Sequence, residues 1–275
     1  MRIVNHPAGG RLALTNDGPL EAFFLGVGGA FSRTLGNTNV LLVKGPDHVM
    51  IDFGVTGPSR LWELARRGPE EIDRVLVTHV HADNAGGLEQ MGLMGRYVAK
   101  RRPILVAPRL LRTALWQDTL RGGLQHVDGA RAVAILDDYF EAAPMARAAD
   151  NTYRCRAGGI ELEMFPTKHV VGLRGPDHFV SYGVCVDGRL FLSGDSRFDP
   201  EAIASRRGCE AFFLDCAAVP NPTHACLAEL KTLPEDVRSR AYLVHYGDDF
   251  TDRDAAGFAG RARAGVRYVF DPAEA

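Results

Sequence analysis

Residues Thr78-His79-Val80-His81-Ala82-Asp83-Asn84-Ala85-Gly86-Gly87 hold the densest potential chemistry in the chain. Two imidazoles and a carboxylate occupy alternate positions directly after the apolar run Val75-Leu76-Val77. Extended backbone sends alternate side chains the same way, so a strand ending in His-x-His-x-Asp can bring two imidazoles to one metal ion. The carboxylate beyond them can hold a second ion or a bound water. Gly86-Gly87 lets the backbone turn tightly into the segment that opens with Leu88-Glu89-Gln90. One histidine at a strand end reads as a surface residue. Two with an aspartate, between a buried strand and a Gly-Gly turn, read as a metal site.

The motif Thr-His-x-His-x-Asp-x-x-Gly-Gly resembles the signature of the metallo-β-lactamase superfamily, and the likeness extends from Phe23 to His245. It implies an α/β fold, the four-layer αββα metallo-β-lactamase sandwich. On this reading residues 1–275 form a single domain with a helical insertion at roughly 108–150. The superfamily orders its further ligands as a third His, a bridging Asp and a last His, each at a strand end. Here the matching positions are His169 in Pro166-Thr167-Lys168-His169, Asp195 in Ser193-Gly194-Asp195-Ser196, and His245 in Leu243-Val244-His245-Tyr246. The resemblance thus implies a first site of His79, His81 and His169, within reach of Asp195, and a second of Asp83, Asp195 and His245.

One position departs from the pattern. The superfamily usually places His directly after the Asp, and this chain has Asn84. A carboxamide oxygen is a weak, neutral ligand that suits hard cations better than zinc. The expectation is therefore one tightly held Zn2+ and a weak second site, with Mn2+ or Fe as alternatives. Asn84 is also placed to hydrogen-bond the substrate or the bound water.

At 275 residues, 46% hydrophobic and 24% charged, the chain can bury a full core as one large α/β domain. Its net charge of −2 includes no basic run long enough for an extended nucleic-acid surface; Lys100-Arg101-Arg102 and Arg206-Arg207 read as solvated helix ends. The N-terminal segment from Met1 to Pro7 lacks the apolar core of a signal peptide, and no apolar run approaches membrane-spanning length. Five scattered cysteines, odd in number and without Cys-x-x-Cys spacing, suit reduced thiols in a cytoplasmic protein. Cys216, next to Asp215, shows no companion histidine that would make it a nucleophile. Oligomeric state stays open between a monomer and a homodimer.

The elements that must position the site can be read in outline. Strand-like runs occur at Leu20–Leu25, Asn39–Val43 and His48–Asp52, the last two joined by Gly45-Pro46-Asp47. The Gly-rich stretch Gly26-Val27-Gly28-Gly29-Ala30-Phe31-Ser32 lacks G-x-G-x-x-G spacing and reads as a flexible loop at the site's mouth rather than a nucleotide fingerprint. Helices are expected at Pro58–Arg67, Leu88–Arg102, Thr223–Lys231 and Pro234–Arg240, and a strand at Pro103–Ala107. The second half adds strand-like runs at Thr152–Arg156, Ile160–Pro166, Phe179–Val186, Arg189–Ser193, Ala211–Asp215 and Ala241–His245, with Asp187-Gly188 as a hairpin signal.

Two further histidines attract a role. His178 follows Gly175-Pro176-Asp177 in a loop, where a substrate contact is expected by position. His224, in Asn221-Pro222-Thr223-His224 at the expected helix start, falls where ribonuclease Z-like phosphodiesterases carry a His that faces the metals. By that resemblance it would be catalytic, stabilising phosphate charge and protonating the departing alkoxide. A metal ion lowers the pKa of bound water from about 16 to about 7, and Asp83 would orient or deprotonate that water. The expected activity is metal-dependent hydrolysis of a phosphodiester in a small nucleotide-like substrate. The alternatives are a lactone, thioester or β-lactam hydrolase of the same fold, or a binding protein that has lost turnover.

Overall fold

The computed structural model describes residues 1–127, 133–171 and 179–272. Two eight-stranded mixed sheets form its centre. The first contains β1 (Arg2–Asn5), β2 (Leu20–Gly26), β3 (Asn39–Lys44), β4 (Asp47–Ile51), β5 (Arg74–Leu76), β6 (Ile104–Val106) and β7 (Glu141–Ala142). The second contains β8 (Ala146–Arg147), β9 (Tyr153–Ala157), β10 (Ile160–Pro166), β11 (Tyr182–Val186), β12 (Leu190–Leu192), β13 (Ala211–Asp215), β14 (Ala241–Val244) and β15 (Gly260–Arg261). The last strand, β16 (Val266–Phe270), returns to the first sheet, which runs β1-β16-β2-β3-β4-β5-β6-β7. The second runs β15-β14-β13-β12-β11-β10-β9-β8.

Each sheet changes from antiparallel to parallel pairing part-way across. The strands from β4 to β7 are parallel neighbours, as are those from β12 to β15. Parallel strands covered on both faces read as continuous apolar runs, which explains Val75-Leu76 and Ala211-Phe212-Phe213-Leu214. It also puts the carboxyl ends of β5, β12, β13 and β14 at one rim of the sandwich. The site's residues follow those ends.

The sheets meet through aromatic packing. Phe24 of β2 lies 4.7 Å from Phe213 of β13, and Tyr268 of β16 closes on Phe213 at 4.9 Å. Helices cover the outside to complete the αββα sandwich. α1 (Gly57–Ala65) buries Leu61 and Ala65, one turn apart. α2 (Ala82–Ala85) carries the Asp83-Asn84 pair, and α3 (Leu88–Met94) buries Leu88, Met91 and Gly92 at helical spacing. α4 (Arg109–Ala114) continues through Leu115–Leu120 and Arg121–Leu124, burying Leu111, Leu115, Leu120 and Leu124. The five-residue step from Leu115 to Leu120 falls where the helix widens to i→i+5 bonding, which keeps the apolar stripe on one face.

Several expected elements are shorter. The helix expected over Thr223–Lys231 spans only Leu227–Leu230. The Asn221 side chain accepts from Thr223 N, Thr223 Oγ1 and His224 N, so residues 221–224 form a turn that competes with the helix. His224 therefore sits in that turn and not at a helix start. The stretch 108–150 holds the α4 run and then β7 and β8, one edge strand for each sheet, with 128–132 outside the described residues. The Asp187-Gly188 hairpin is present, with φ of 52° and 66° at its two central residues, the type I′ arrangement. Among the described residues, no helix is long and apolar enough to cross a membrane.

Because Phe213 is fully buried where the sheets meet, Phe213→Ala should lower the unfolding free energy by about 3–5 kcal/mol. Urea denaturation measures this, and a loss below about 1 kcal/mol would show that the two sheets are not held through this aromatic contact.

Candidate metal centre

β5 delivers the motif from a buried position between β4 and β6. At its end Thr78 is locked on Asp52, its N–H donating to Oδ1 at 2.7 Å and its hydroxyl to Oδ2 at 2.8 Å. With its own proton committed to Asp52, the Thr78 hydroxyl accepts from His79 Nδ1 at 3.0 Å. That places the His79 proton on Nδ1 and leaves Nε2 bare. Burial pushes the His79 pKa down to about 3, so the ring is neutral throughout the working range of pH. On another element His169 Nδ1 donates to Thr223 O at 2.9 Å, which likewise leaves Nε2 bare.

His79 Nε2 lies 3.0 Å from His81 Nδ1, and His169 Nε2 lies 3.1 Å from the same atom. Two bare nitrogens thus converge on a third ring nitrogen, and a cation between the three would satisfy all of them at once. Zinc–nitrogen bonds of about 2.0–2.1 Å in a tetrahedron set neighbouring nitrogens about 3.3 Å apart. Asp195 Oδ2 approaches from the remaining side, 3.7 Å from His79 Nε2 and 3.9 Å from His169 Nε2. The donor chemistry and spacing of these four residues fit a divalent metal ion.

A second group shares Asp195. His245 Nε2 is 3.1 Å from Asp195 Oδ2 and 3.1 Å from Asp83 Oδ2. Its Nδ1 faces Asp215 Oδ1 at 3.4 Å. Burial alone would lower the His245 pKa, but Asp195 and Asp215 outweigh it and hold the ring well above its usual range. Burial would likewise raise Asp195, yet His245, His79 and His169 hold it well below the usual carboxylate range. Two backbone conformations make this geometry. Gly194 takes φ +58°, where a Cβ would meet Tyr182 O at 2.4 Å, and His245 itself takes φ 62°, a strained value for a side-chain-bearing residue.

Asn84 is buried behind Asp83. Its amide nitrogen donates to Asp52 Oδ2 at 3.0 Å, and its Oδ1 has no partner. Asn84 lines a small internal cavity of about 30 Å³ together with Asp52, Asp195, Asp215 and His245. Burial pushes Asp52 up to about 7, against the pull of the Asn84 and Thr78 hydrogen bonds.

His224 closes the outer side. Its Nδ1 is 2.7 Å from Asp215 Oδ2, and its ring stacks on His245 with centroids 4.7 Å apart and lies 4.8 Å from His169. Burial would lower its pKa, but the hydrogen bond and charge of Asp215 raise it above the ordinary value. Phe179 packs on the trio of histidines, 4.9 Å from the His81 ring and 5.8 Å from those of His79 and His169. Cys216 is buried, and burial pushes its thiol up to about 12, which excludes a thiolate nucleophile. His178 lies outside the described residues.

The structure therefore brings together His79, His81, Asp83, His169, Asp195, His224 and His245. Reading the sequence missed Asp52, Asp215 and Phe179. The two aspartates were visible as carboxylates closing the buried strands β4 and β13. Phe179 carried no signal, because nothing local says that its ring will face three histidines.

Fold and centre together define a metal-dependent hydrolase of the metallo-β-lactamase fold. The solved metallo-β-lactamase fold protein YhfI from Bacillus subtilis superposes with a TM-score of 0.68 at 15% identity, covering 92% of this chain and all of that one. Within that fold, the chain belongs to the family described as Anti-Pycsar protein Apyc1, whose profile matches residues 20–268. It is 35% identical over 227 residues to the Anti-Pycsar protein Apyc1 of Paenibacillus harenae, covering 82% of this chain and 88% of that one. Identity is 34% over 243 residues to the same-named protein of Paenibacillus sp. (strain J14), covering 86% and 94%.

Since His169 comes from an element remote from the His79–His81 strand, His169→Ala tests whether the three act as one site. After dialysis the variant should have lost most of the metal that the parent protein retains, by elemental analysis. Full retention would detach His169 from the centre.

Proposed function

We propose that this protein hydrolyses the phosphodiester of a small cyclic nucleotide. The observation that carries the reading is the Asp215–His224 pair, which sets a proton-bearing imidazole beside the metal centre where a departing alkoxide needs one. Membership of the Anti-Pycsar protein Apyc1 family accords with this reading. The electrostatics agree: Asp215 raises the pKa of His224, and a cationic imidazole there favours an anionic diester over a neutral lactone or thioester.

In this proposal His79, His81, His169 and Asp195 would hold a first ion, zinc by their nitrogen-rich donor set. Asp83, His245 and Asp195 would hold a second. When bound, such ions supply Lewis acidity toward the phosphoryl oxygens and make a water acidic enough to attack at neutral pH. Asp83, beside that position, would orient the attacking water or accept its proton. His224 protonates the leaving oxygen, and Asp215 keeps its Nδ1 occupied so that Nε2 carries the transferable proton. Phe179 shields the histidine trio from water, which strengthens every charge interaction there.

Asn84 sets the strength of the second position. It offers a neutral amide where an imidazole would be a better donor, and its unpartnered oxygen leaves a buried acceptor that costs about 1–3 kcal/mol until something meets it. We expect one tight ion per chain, and a second only in excess metal. An imidazole in place of Asn84 keeps one nitrogen for Asp52 and turns the other toward Asp83 and His245. Asn84→His should therefore raise the metal retained after dialysis from about one ion per chain toward two, as elemental analysis would show. Two equally tight ions in the parent protein would remove Asn84 from this role.

The activity itself is tested with a panel of 3′,5′-cyclic nucleotides, linear diesters, lactones and thioesters. Cyclic nucleotides should be turned over fastest, and a preference for lactones or thioesters would sink the proposal. His224→Ala should lower kcat on the order of 10²–10⁴-fold with unchanged metal content. A protonated His224 acts below its pKa, so kcat falls as pH rises through that value. Asp215→Asn removes the group that raises it, and the alkaline limb of the profile should move to lower pH. A limb that stays in place would assign the proton to another residue.

A further inference from the structure

Phe31 stands 96% exposed in the loop between β2 and β3. Leaving a phenyl ring in water forgoes the stabilisation its burial would give, and loose loops commonly fold such a ring away. This loop is not loose. The Asp248 carboxylate accepts from Ser32 Oγ at 2.6 Å, Arg33 N at 2.8 Å, Thr34 N at 3.2 Å and Thr34 Oγ1 at 2.8 Å. Ser32 N donates to Gly29 O at 3.1 Å and Leu35 N to Ser32 Oγ at 3.1 Å, which closes the tip on itself. The flexible loop expected from the glycines is instead a braced one.

Its root touches the metal centre. Gly28 bridges to Tyr246, the residue after His245, and a Cβ on Gly29 would lie 3.2 Å from His245 Cε1 and Nδ1. That approach is closer than a side chain normally makes, so glycine suits the position. Two residues of extended chain span at most about 7 Å, so the backbone of Phe31 lies within that distance of a glycine packed on His245. Other large apolar side chains are exposed on the loops that carry the site. Val171 follows His169 by two residues, Val219 lies between Asp215 and His224, and Val55 N donates to Ala82 O in the His-x-His-x-Asp segment. These exposed apolar side chains stand on segments next in sequence to the site's residues or hydrogen-bonded to the segment that carries them.

We propose that Phe31 is a base-stacking residue, held out by the Asp248 clamp to take the face of the nucleobase while the phosphodiester lies at the metal centre. The inference rests on the cyclic-nucleotide reading above and deepens it. Stacking on one ring is tolerant of base identity, because every base has a π-face, so purine and pyrimidine substrates should both depend on it. Discrimination between bases then falls to other groups of the rim.

The test compares the metal-loaded parent protein with Phe31→Ala and Phe31→Trp on three substrates: a purine 3′,5′-cyclic nucleotide, a pyrimidine one, and the abasic 3′,5′-cyclic phosphate of 1-deoxyribose. Phe31→Ala should raise KM for both cyclic nucleotides by roughly 5- to 150-fold, the scale of one aromatic stack, and leave the abasic substrate and the metal content unchanged. Phe31→Trp should restore KM to near the parent value. Equal losses on nucleotide and abasic substrates, or no loss on the nucleotides, would overturn the assignment. So would a dimer that Phe31→Ala converts to monomers in light scattering with KM unchanged, since the ring would then belong to a contact with a second copy. A parent protein that turns over no cyclic nucleotide overturns the functional reading and this inference together. Turnover with an unaffected Phe31→Ala overturns this inference alone.

Discussion

Asp195 is the residue on which the rest of the centre depends. Its carboxylate is buried, and one oxygen faces His245 at 3.1 Å, His79 at 3.7 Å and His169 at 3.9 Å. Removing a carboxylate from water costs several kcal/mol unless compensating charge and hydrogen bonds surround it. The fold meets this by gathering three imidazoles, from three separate segments of the chain, around a single oxygen. Removal of Asp195 would leave His245 facing Asp83 and Asp215, and the histidine trio without its anionic side. The interaction therefore links the two donor groups electrostatically as well as geometrically.

Around it stands a set of carboxylates that orient without being central. Asp52 holds Thr78 and Asn84, and Thr78 in turn fixes the tautomer of His79. Asp215 faces both His224 and His245. Each closes a buried strand in its own sheet, so the two halves of the sandwich supply equivalent supports from opposite sides. Hydrogen bonds to an outer carboxylate fix which ring nitrogen is bare, and for a metal-binding or proton-donating histidine that decides what it can do. The strained φ of Asp52 and His245 is consistent with positions imposed by these contacts rather than by local preference.

The outer rim follows other rules. Phe179 lies against the histidine rings and limits water at the polar floor, whereas Phe31 extends into solvent from a loop that Asp248 braces. The same side-chain type serves opposite ends because the backbone around it differs: Phe179 precedes a buried strand, and Phe31 sits at the tip of a clamped turn. Both rings are carried by segments set on a rigid pair of sheets.

Local pattern alone determined a good part of this. The His-x-His-x-Asp segment after Val75-Leu76-Val77, the hairpin at Asp187-Gly188 and the apolar runs of β2, β3 and β13 were legible because strand alternation, turn chemistry and burial are written in neighbouring residues. The order of His169, Asp195 and His245 was legible only through resemblance, since no local rule says that residues so far apart converge. Tertiary structure decided what distance in sequence conceals. Asp215 looked like the end of a core strand until the fold set it 2.7 Å from His224. The hydrogen bond from the Asn84 amide nitrogen to Asp52, a residue of another strand end, is likewise something no local pattern names. The helix expected from Thr223 gave way to a turn because Asn221 captured the backbone first. The Gly-rich loop owes its bracing to Asp248, more than two hundred residues later. Types and spacings name the chemistry a chain can attempt; which proton sits on which nitrogen is settled by partners that only the packed sheets bring within reach.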